Sequence, residues 1–106
     1  MVNRGDVWLV NLDPTIGSEI QKTRPCLLIS PPEMLDHLRT VIAAPMTTGS
    51  RPAGFRVALR FQGKDGLVLL DQICTIDKQR LVRKLGQVSG ATLHKTLAAL
   101  RTAFEE

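Results

Sequence analysis

Four cations, Lys78, Arg80, Arg83 and Lys84, fall within seven residues, and a cluster of that density can hold phosphates through charge and counterion release. Nine of the 14 basic residues are Arg, whose planar fork donates paired hydrogen bonds to phosphate where Lys supplies a point charge. Residues 1–53 carry five charges of each sign, so the net surplus of +4 sits wholly in residues 54–106. An anionic partner is expected, either nucleic acid or an acidic protein segment, with a merely solubilising basic surface as the alternative. Other chemistries lack their residues. There is no G-x-x-x-x-G-K-[ST], no G-x-G-x-x-G and no H-E-x-x-H, which leaves triphosphate, dinucleotide and zincin chemistry without a starting point. His37 and His94 lie 57 positions apart on expected helices and read as surface residues, so a general acid or base must be another residue type. Cys26 and Cys74 form no C-x-x-C pair, which argues against a zinc ribbon or a secreted disulfide scaffold. Cys26, between Pro25 and Leu27, reads as a small core hydrophobe.

The elements that would position such residues are short. A chain of 106 residues, 43% hydrophobic and 23% charged, has room for one domain spanning residues 1–106 and one modest core. Its longest apolar runs, such as Leu67–Leu70 and Val41–Met46, are far below the ~20 residues that cross a bilayer. With no leader evident ahead of Val2, the expectation is a cytoplasmic protein without membrane contact. Strand-like runs recur at Val7–Leu12, Cys26–Ser30, Thr40–Met46, Phe55–Phe61 and Leu67–Ile76, the spacing of a small barrel. In the fourth run Phe55, Val57, Leu59 and Phe61 alternate with Arg56, Ala58 and Arg60, predicting a half-buried strand with a basic outer face. Trp8 is expected to anchor the core from the first strand. Pro31-Pro32 opens an expected short helix through Glu33–Leu38. Ser89 is a candidate cap for a terminal helix whose Leu93, Leu97, Leu100 and Phe104 form an apolar stripe. Between the first two strands runs a long connection from Asp13 to Pro25, and loops of such length in small domains tend to carry function.

Four segments, in order along the chain, resemble the MazF/PemK family of toxin endoribonucleases. They are Arg4-Gly-Asp-Val-Trp-Leu-Val-Asn-Leu-Asp-Pro14, then Gly17-Ser-Glu19 with Arg24-Pro25, then Ala44-Pro-Met-Thr-Thr48, then Leu70-Asp-Gln-Ile-Cys-Thr-Ile-Asp-Lys-Gln-Arg-Leu81. The resemblance implies a mostly β fold with appended helices: a small SH3-like barrel of the CcdB/PemK kind, ending in an amphipathic helix. It implies a homodimer that cleaves single-stranded mRNA at short sequence motifs without metal or other cofactor, leaving 2′,3′-cyclic phosphate and 5′-hydroxyl ends. It also implies a cognate antitoxin whose acidic flexible tail occupies the RNA groove.

By the same resemblance Arg24 is the residue that neutralises the phosphorane oxygens, and a guanidinium suits that role because it stays charged and donates two hydrogen bonds. Thr47 would hydrogen-bond the same phosphate, its hydroxyl being too weak an acid or base to act alone. Glu19 is the candidate base, or the group that orients Arg24, and the acid for the leaving oxygen is unassigned. Ser18, Thr48 and Gln72 match positions along the family's RNA path, where hydroxyls and amides could read splayed bases. Lys78 and Arg80 are candidate phosphate contacts. Alternation along Asp71–Thr75 is expected to put Gln72 and Cys74 on one strand face and Asp71, Ile73 and Thr75 on the other.

Three positions depart from the family pattern. Cys74 stands where many relatives carry Arg or Lys, Gln21 and Lys22 stand near a family glycine, and Ser18 replaces a histidine of some relatives. None alters Arg24 or Thr47. The rival readings are a non-enzymatic, CcdB-like topoisomerase poison on the same barrel and a decayed relative that binds RNA without cutting it. The chain ends Ala103-Phe-Glu-Glu106, lacking the Trp-Gly-Ile on which the first rival depends.

Overall fold

The computed structural model describes residues 1–13, 17, 22–49 and 51–106. Seven antiparallel strands are formed: β1 (Asp6–Asn11), β2 (Thr23–Leu28), β3 (Thr40–Thr47), β4 (Arg56–Phe61), β5 (Lys64–Leu69), β6 (Cys74–Asp77) and β7 (Leu81–Gln87). Helix α1 (Pro32–His37) follows β2, and helix α2 (Gly90–Ala103) closes the chain. Strand order is β4-β5-β3-β2-β1-β7, with β6 pairing on β3. The result is a curled, half-barrel sheet with a C-terminal helix.

Strand β3 organises the curl. Its Thr40–Ala43 half pairs with β6, its Ala43–Pro45 segment with β2 and its Met46–Thr47 end with β5. A strand so surrounded needs apolar side chains on both faces, which is why Thr40–Met46 reads as a nearly unbroken apolar run. Ile42, Ala44 and Met46 join one core cluster with Val7, Leu27, Val57 and Val68, and Val41 and Ala43 join a second with Val10, Cys26, Leu28 and Ile76. Leu97 and Leu100 of α2 cover the first cluster, and Leu35 of α1 belongs to the second. Burial of each such side chain contributes about 1.5–3 kcal/mol.

Both helices start as their sequences dictate. Pro32 opens α1, and the Ser89 hydroxyl accepts from the Thr92 amide at 3.1 Å to cap α2. The expected stripe on α2 stops short of its end, since Phe104 is 77% exposed. Phe55 likewise falls before β4 and is exposed, while Trp8 is half-buried against the second cluster.

Two further differences separate fold from expectation. The run Leu67–Ile76 is two strands split by a 3₁₀ turn at Leu70–Gln72, and this turn resets the alternation. Ile73 packs on the first cluster and Cys74 with Ile76 on the second, leaving Thr75 exposed. The basic cluster is split between a 3₁₀ turn, which holds Lys78 and Arg80, and strand β7, which holds Arg83 and Lys84 and pairs with β1 across two irregularities.

Candidate active site

Arg24 and Pro25 lie in β2, and the ladder pairs Cys26 with Pro45 and Leu27 with Ala44. Arg24 lies two residues beyond that ladder on β2 and Thr47 two residues beyond it on β3, each near a strand end. Both residues line one cleft of about 300 Å³ with Met46, Thr48, Leu59, Phe61, Gln62, Lys64, Asp65, Gly66 and Leu85. Its floor is apolar and its rim polar, the usual composition of a site that must hold and orient a ligand.

Thr47 is held from two sides. Its hydroxyl oxygen accepts from the Gly49 amide at 3.2 Å, which leaves the hydroxyl hydrogen available to a phosphate oxygen in the cleft. Beneath it runs Gly66, where an added Cβ would come within 3.1 Å of the Thr47 carbonyl oxygen. Glycine suits this close approach, since any Cβ would press on the backbone of the threonine.

The base of the connection between β1 and β2 is a clasp of hydrogen bonds. The Asp13 carboxylate accepts from the Lys22 amide at 2.9 Å, and the Leu12 amide donates to the Lys22 carbonyl at 3.0 Å. Arg80 donates to the Asn11 carbonyl at 3.1 Å and to that of Asp13. Lys22, where the family pattern favours glycine nearby, holds a φ of 67°, a left-handed conformation unfavourable for a residue with Cβ. Glu19 and Ser18 lie outside the described residues.

Of the remaining candidates, Thr48 lines the cleft, whereas Gln72, Lys78 and Arg80 are not among its lining residues. Lys78 donates to the Leu35 carbonyl, fastening α1 to the 3₁₀ turn at Lys78–Arg80. Lys84, itself exposed, holds its Nζ 3.3 Å from Oδ1 of the buried Asp6. The outer face of β4 is also less basic than its sequence. Arg56 makes a paired contact with Asp71 at 3.2 and 3.3 Å, and Arg60 meets Asp65 at 3.1 Å.

Two buried titratable groups surround the site without entering it. Burial alone would raise the Asp6 pKa. Hydrogen bonds from Gln87, the Asn3 amide, Trp8 and Lys84 outweigh that and hold the carboxyl below its ordinary range. Burial, with Cys74 adding to it, pushes the Cys26 thiol up to about 12, so Cys26 stays an unreactive thiol at neutral pH. Among the described residues no three His, Cys, Asp or Glu side chains gather as a metal set, and no helix is long and apolar enough to cross a membrane.

The sequence reading missed one whole wall of the cleft: Phe61, Gln62, Lys64, Asp65 and Gly66. A signal for it existed. Gln62-Gly63 lies between two strand-like stretches and forms a two-residue turn with φ of 51° and 78°, the left-handed pair that tight hairpins require.

A half-barrel with an Arg and a Thr facing across its open end matches a known group of proteins. The family described as PemK-like, MazF-like toxin of type II toxin-antitoxin system matches residues 3–104, and the chain belongs to it. Among its relatives, Endoribonuclease PemK of Escherichia coli is 39% identical, the match covering 95% of this chain and 80% of PemK. Endoribonuclease EndoA of Bacillus subtilis is 34% identical over 98% of this chain and 95% of its own. An endoribonuclease from a mycobacterial species, solved in complex with its cognate antitoxin, superposes with a TM-score of 0.82 at 31% identity, covering 97% of this chain and 94% of that one. MazF from Deinococcus radiodurans superposes with a TM-score of 0.85 at 25% identity, covering 96% and 94% of the two chains.

Proposed function

We propose that this chain is a metal-independent endoribonuclease toxin that cuts single-stranded mRNA at short sequence motifs, acts as a homodimer, and is silenced by an antitoxin with an acidic flexible tail. The observation that carries this reading is the placement of Arg24 and Thr47 on adjoining strands of one cleft. In the reaction the substrate's 2′-oxygen bonds to the adjacent phosphorus, the bond from phosphorus to the 5′-oxygen breaks, and a cyclic phosphate remains. The proton of the 2′-hydroxyl goes to a base, and one is delivered to the departing 5′-oxygen. Arg24 neutralises charge building on the non-bridging oxygens, an electrostatic effect that a preorganised donor supplies without reorganisation. Thr47 donates to the same phosphate, fixing it for in-line attack. Glu19 is the candidate base or the group that orients Arg24. Thr48, Ser18 and Gln72 are candidates for reading bases, and Lys78 and Arg80 for phosphate contacts.

Apolar side chains left open on the single chain, Val82 and Phe104 among them, support a two-fold partner surface. The net charge of +4 favours both RNA and an acidic tail. The deciding experiment incubates the purified protein with a long RNA in EDTA, maps the cuts and identifies the new ends. Cuts with 5′-hydroxyl ends are expected. Ends carrying 5′-phosphate, or cutting only with magnesium, would overturn the mechanism, and binding without cutting would favour the decayed relative.

A further inference from the structure

The β4–β5 hairpin lines the cleft beside Thr47, which pairs with Leu67 of β5, and its construction is constrained at several points. Gln62 and Gly63 both hold left-handed φ values. Gln62 Nε2 donates to the Leu85 carbonyl of β7 at 3.1 Å, tying the tip to an element outside the β4–β5–β3 ladder. Phe61 lies so near Gly86 that a Cβ there would meet its ring at 3.1 Å. From the other side, Gly66 fits under the Thr47 carbonyl. Three contacts and a left-handed turn thus hold the residues from Phe61 to Gly66.

Within that segment sit two charges that line the cleft, Lys64 and Asp65. Asp65 is engaged by Arg60 at 3.1 Å, which offsets its repulsion of an anion. Lys64 is exposed, and among the described residues its side chain makes no hydrogen bond or ion pair, its backbone pairing with Phe61 in the ladder. Of the other cations counted toward a phosphate surface, Arg56 is engaged by Asp71, Lys84 by Asp6, Lys78 by the Leu35 carbonyl and Arg80 by those of Asn11 and Asp13, while Arg83 is exposed on β7 and does not line the cleft.

We propose that Lys64 is a substrate-binding residue, a second cation lining the cleft that contacts an RNA phosphate flanking the one held by Arg24 and Thr47. A single-stranded chain lying in the cleft passes Lys64 as well as Arg24 and Thr47. An ammonium carried on this braced hairpin then holds the strand at a second point. Two fixed points restrict the strand to a register in which the 2′-oxygen can reach phosphorus, whereas one leaves it free to swing. This inference rests on the reading of the protein as a single-strand ribonuclease, and it assigns Lys64 to binding rather than to proton transfer.

The test measures affinity of the full chain for a short single-stranded RNA bearing 2′-methoxy groups, which cannot be cut, over a range of salt. Lys64→Gln is expected to reduce the slope of log K against log salt by about 0.7, the value for one lost phosphate contact on a single strand. Lys64→Arg should restore it, and Lys95→Gln, on the exposed face of α2, should leave it unchanged. With unmodified RNA, Lys64→Gln should raise KM and hold kcat within about threefold, the pattern of lost uniform binding. An unchanged slope in Lys64→Gln, with an unchanged melting temperature, overturns the proposal, as does a slope equally reduced by Lys95→Gln. Failure of the wild-type protein to cut unmodified RNA would overturn the ribonuclease reading, and the slope would still decide the role of Lys64.

Discussion

Lys84 Nζ lies 3.3 Å from Asp6 Oδ1, so a cation that its sequence neighbours mark for phosphate is half of an ion pair whose other half is wholly buried. The pair spans the seam between β1 and β7, and Gln87, Trp8 and the Asn3 amide complete the shell around the carboxylate. A carboxyl whose folded pKa is depressed stabilises the fold above its unfolded value of about 3.9, and loses that contribution as pH falls through the folded value. Stability should therefore decline as pH falls below about 4, and Asp6→Asn should flatten that decline at some loss of stability near neutrality. Chemical denaturation across acid pH checks it. An identical acid limb in Asp6→Asn would assign the loss to other carboxylates.

Arg24→Ala should lower the rate of RNA cleavage by about 10² to 10³, the loss typical of removing one donor to a developing oxyanion. RNA affinity should fall much less, because other cations remain. Single-turnover cleavage alongside binding of uncleavable RNA separates the two, and near-wild-type cleavage would move the active site elsewhere.

Lys22 holds a φ of 67°. Relief of the left-handed penalty in Lys22→Gly is worth about 1–2 kcal/mol, and the added freedom of the unfolded chain returns up to ~1 kcal/mol of it. A net stabilisation of about 0.5–1 kcal/mol is expected, read as a higher urea midpoint at constant m. A lower midpoint would show that the lysine side chain compensates its own strain.

Cys74 packs against the second core cluster with Trp8 and Leu81, on the face that also holds Cys26 and Ile76. Cys74→Arg is accordingly expected to destabilise by about 1–3 kcal/mol and to leave the salt slope of RNA binding unchanged. Thermal unfolding and salt-dependent binding, taken together, check this. A steeper slope at an unchanged melting temperature would place the residue in the RNA groove instead.

RNA and antitoxin should compete for one groove on a dimer. Sedimentation at micromolar protein and binding of labelled RNA under rising antitoxin test both parts. A monomer, or a ternary complex, would count against them.

How far the sequence led depended on whether its signals were local. The doubly buried run at Thr40–Met46, the proline that opens α1 and the cap at Ser89 are set by neighbouring residues, and their elements form close to where the sequence puts them. The turn at Leu70–Gln72 was hidden because Leu70 prolongs the apolar run of β5 into it and Ile73 follows directly after it. Strand β7 was hidden because Arg83 and Lys84 suggest a solvated cluster, and only Asp6, far away in sequence, explains the lysine. Arg24 and Thr47 became legible through family resemblance rather than through their own types. Lys64 had no such guide, since its place in the cleft depends on a hairpin closing onto Leu85.

That closure orders events in time. The β1–β7 ladder joins Asp6 to Gln87, nearly the full span of the chain, and contacts so remote form slowly because a large loop must first be closed. The β4–β5 hairpin, by contrast, joins neighbours and can form early. Because Leu85 both lines the cleft and receives the Gln62 amide, the cleft is unfinished until β7 docks. Competence to grip a strand of RNA is thus among the last properties the folding chain acquires, and hydrogen-exchange pulse labelling should show the Leu85 segment protected after that of Val68.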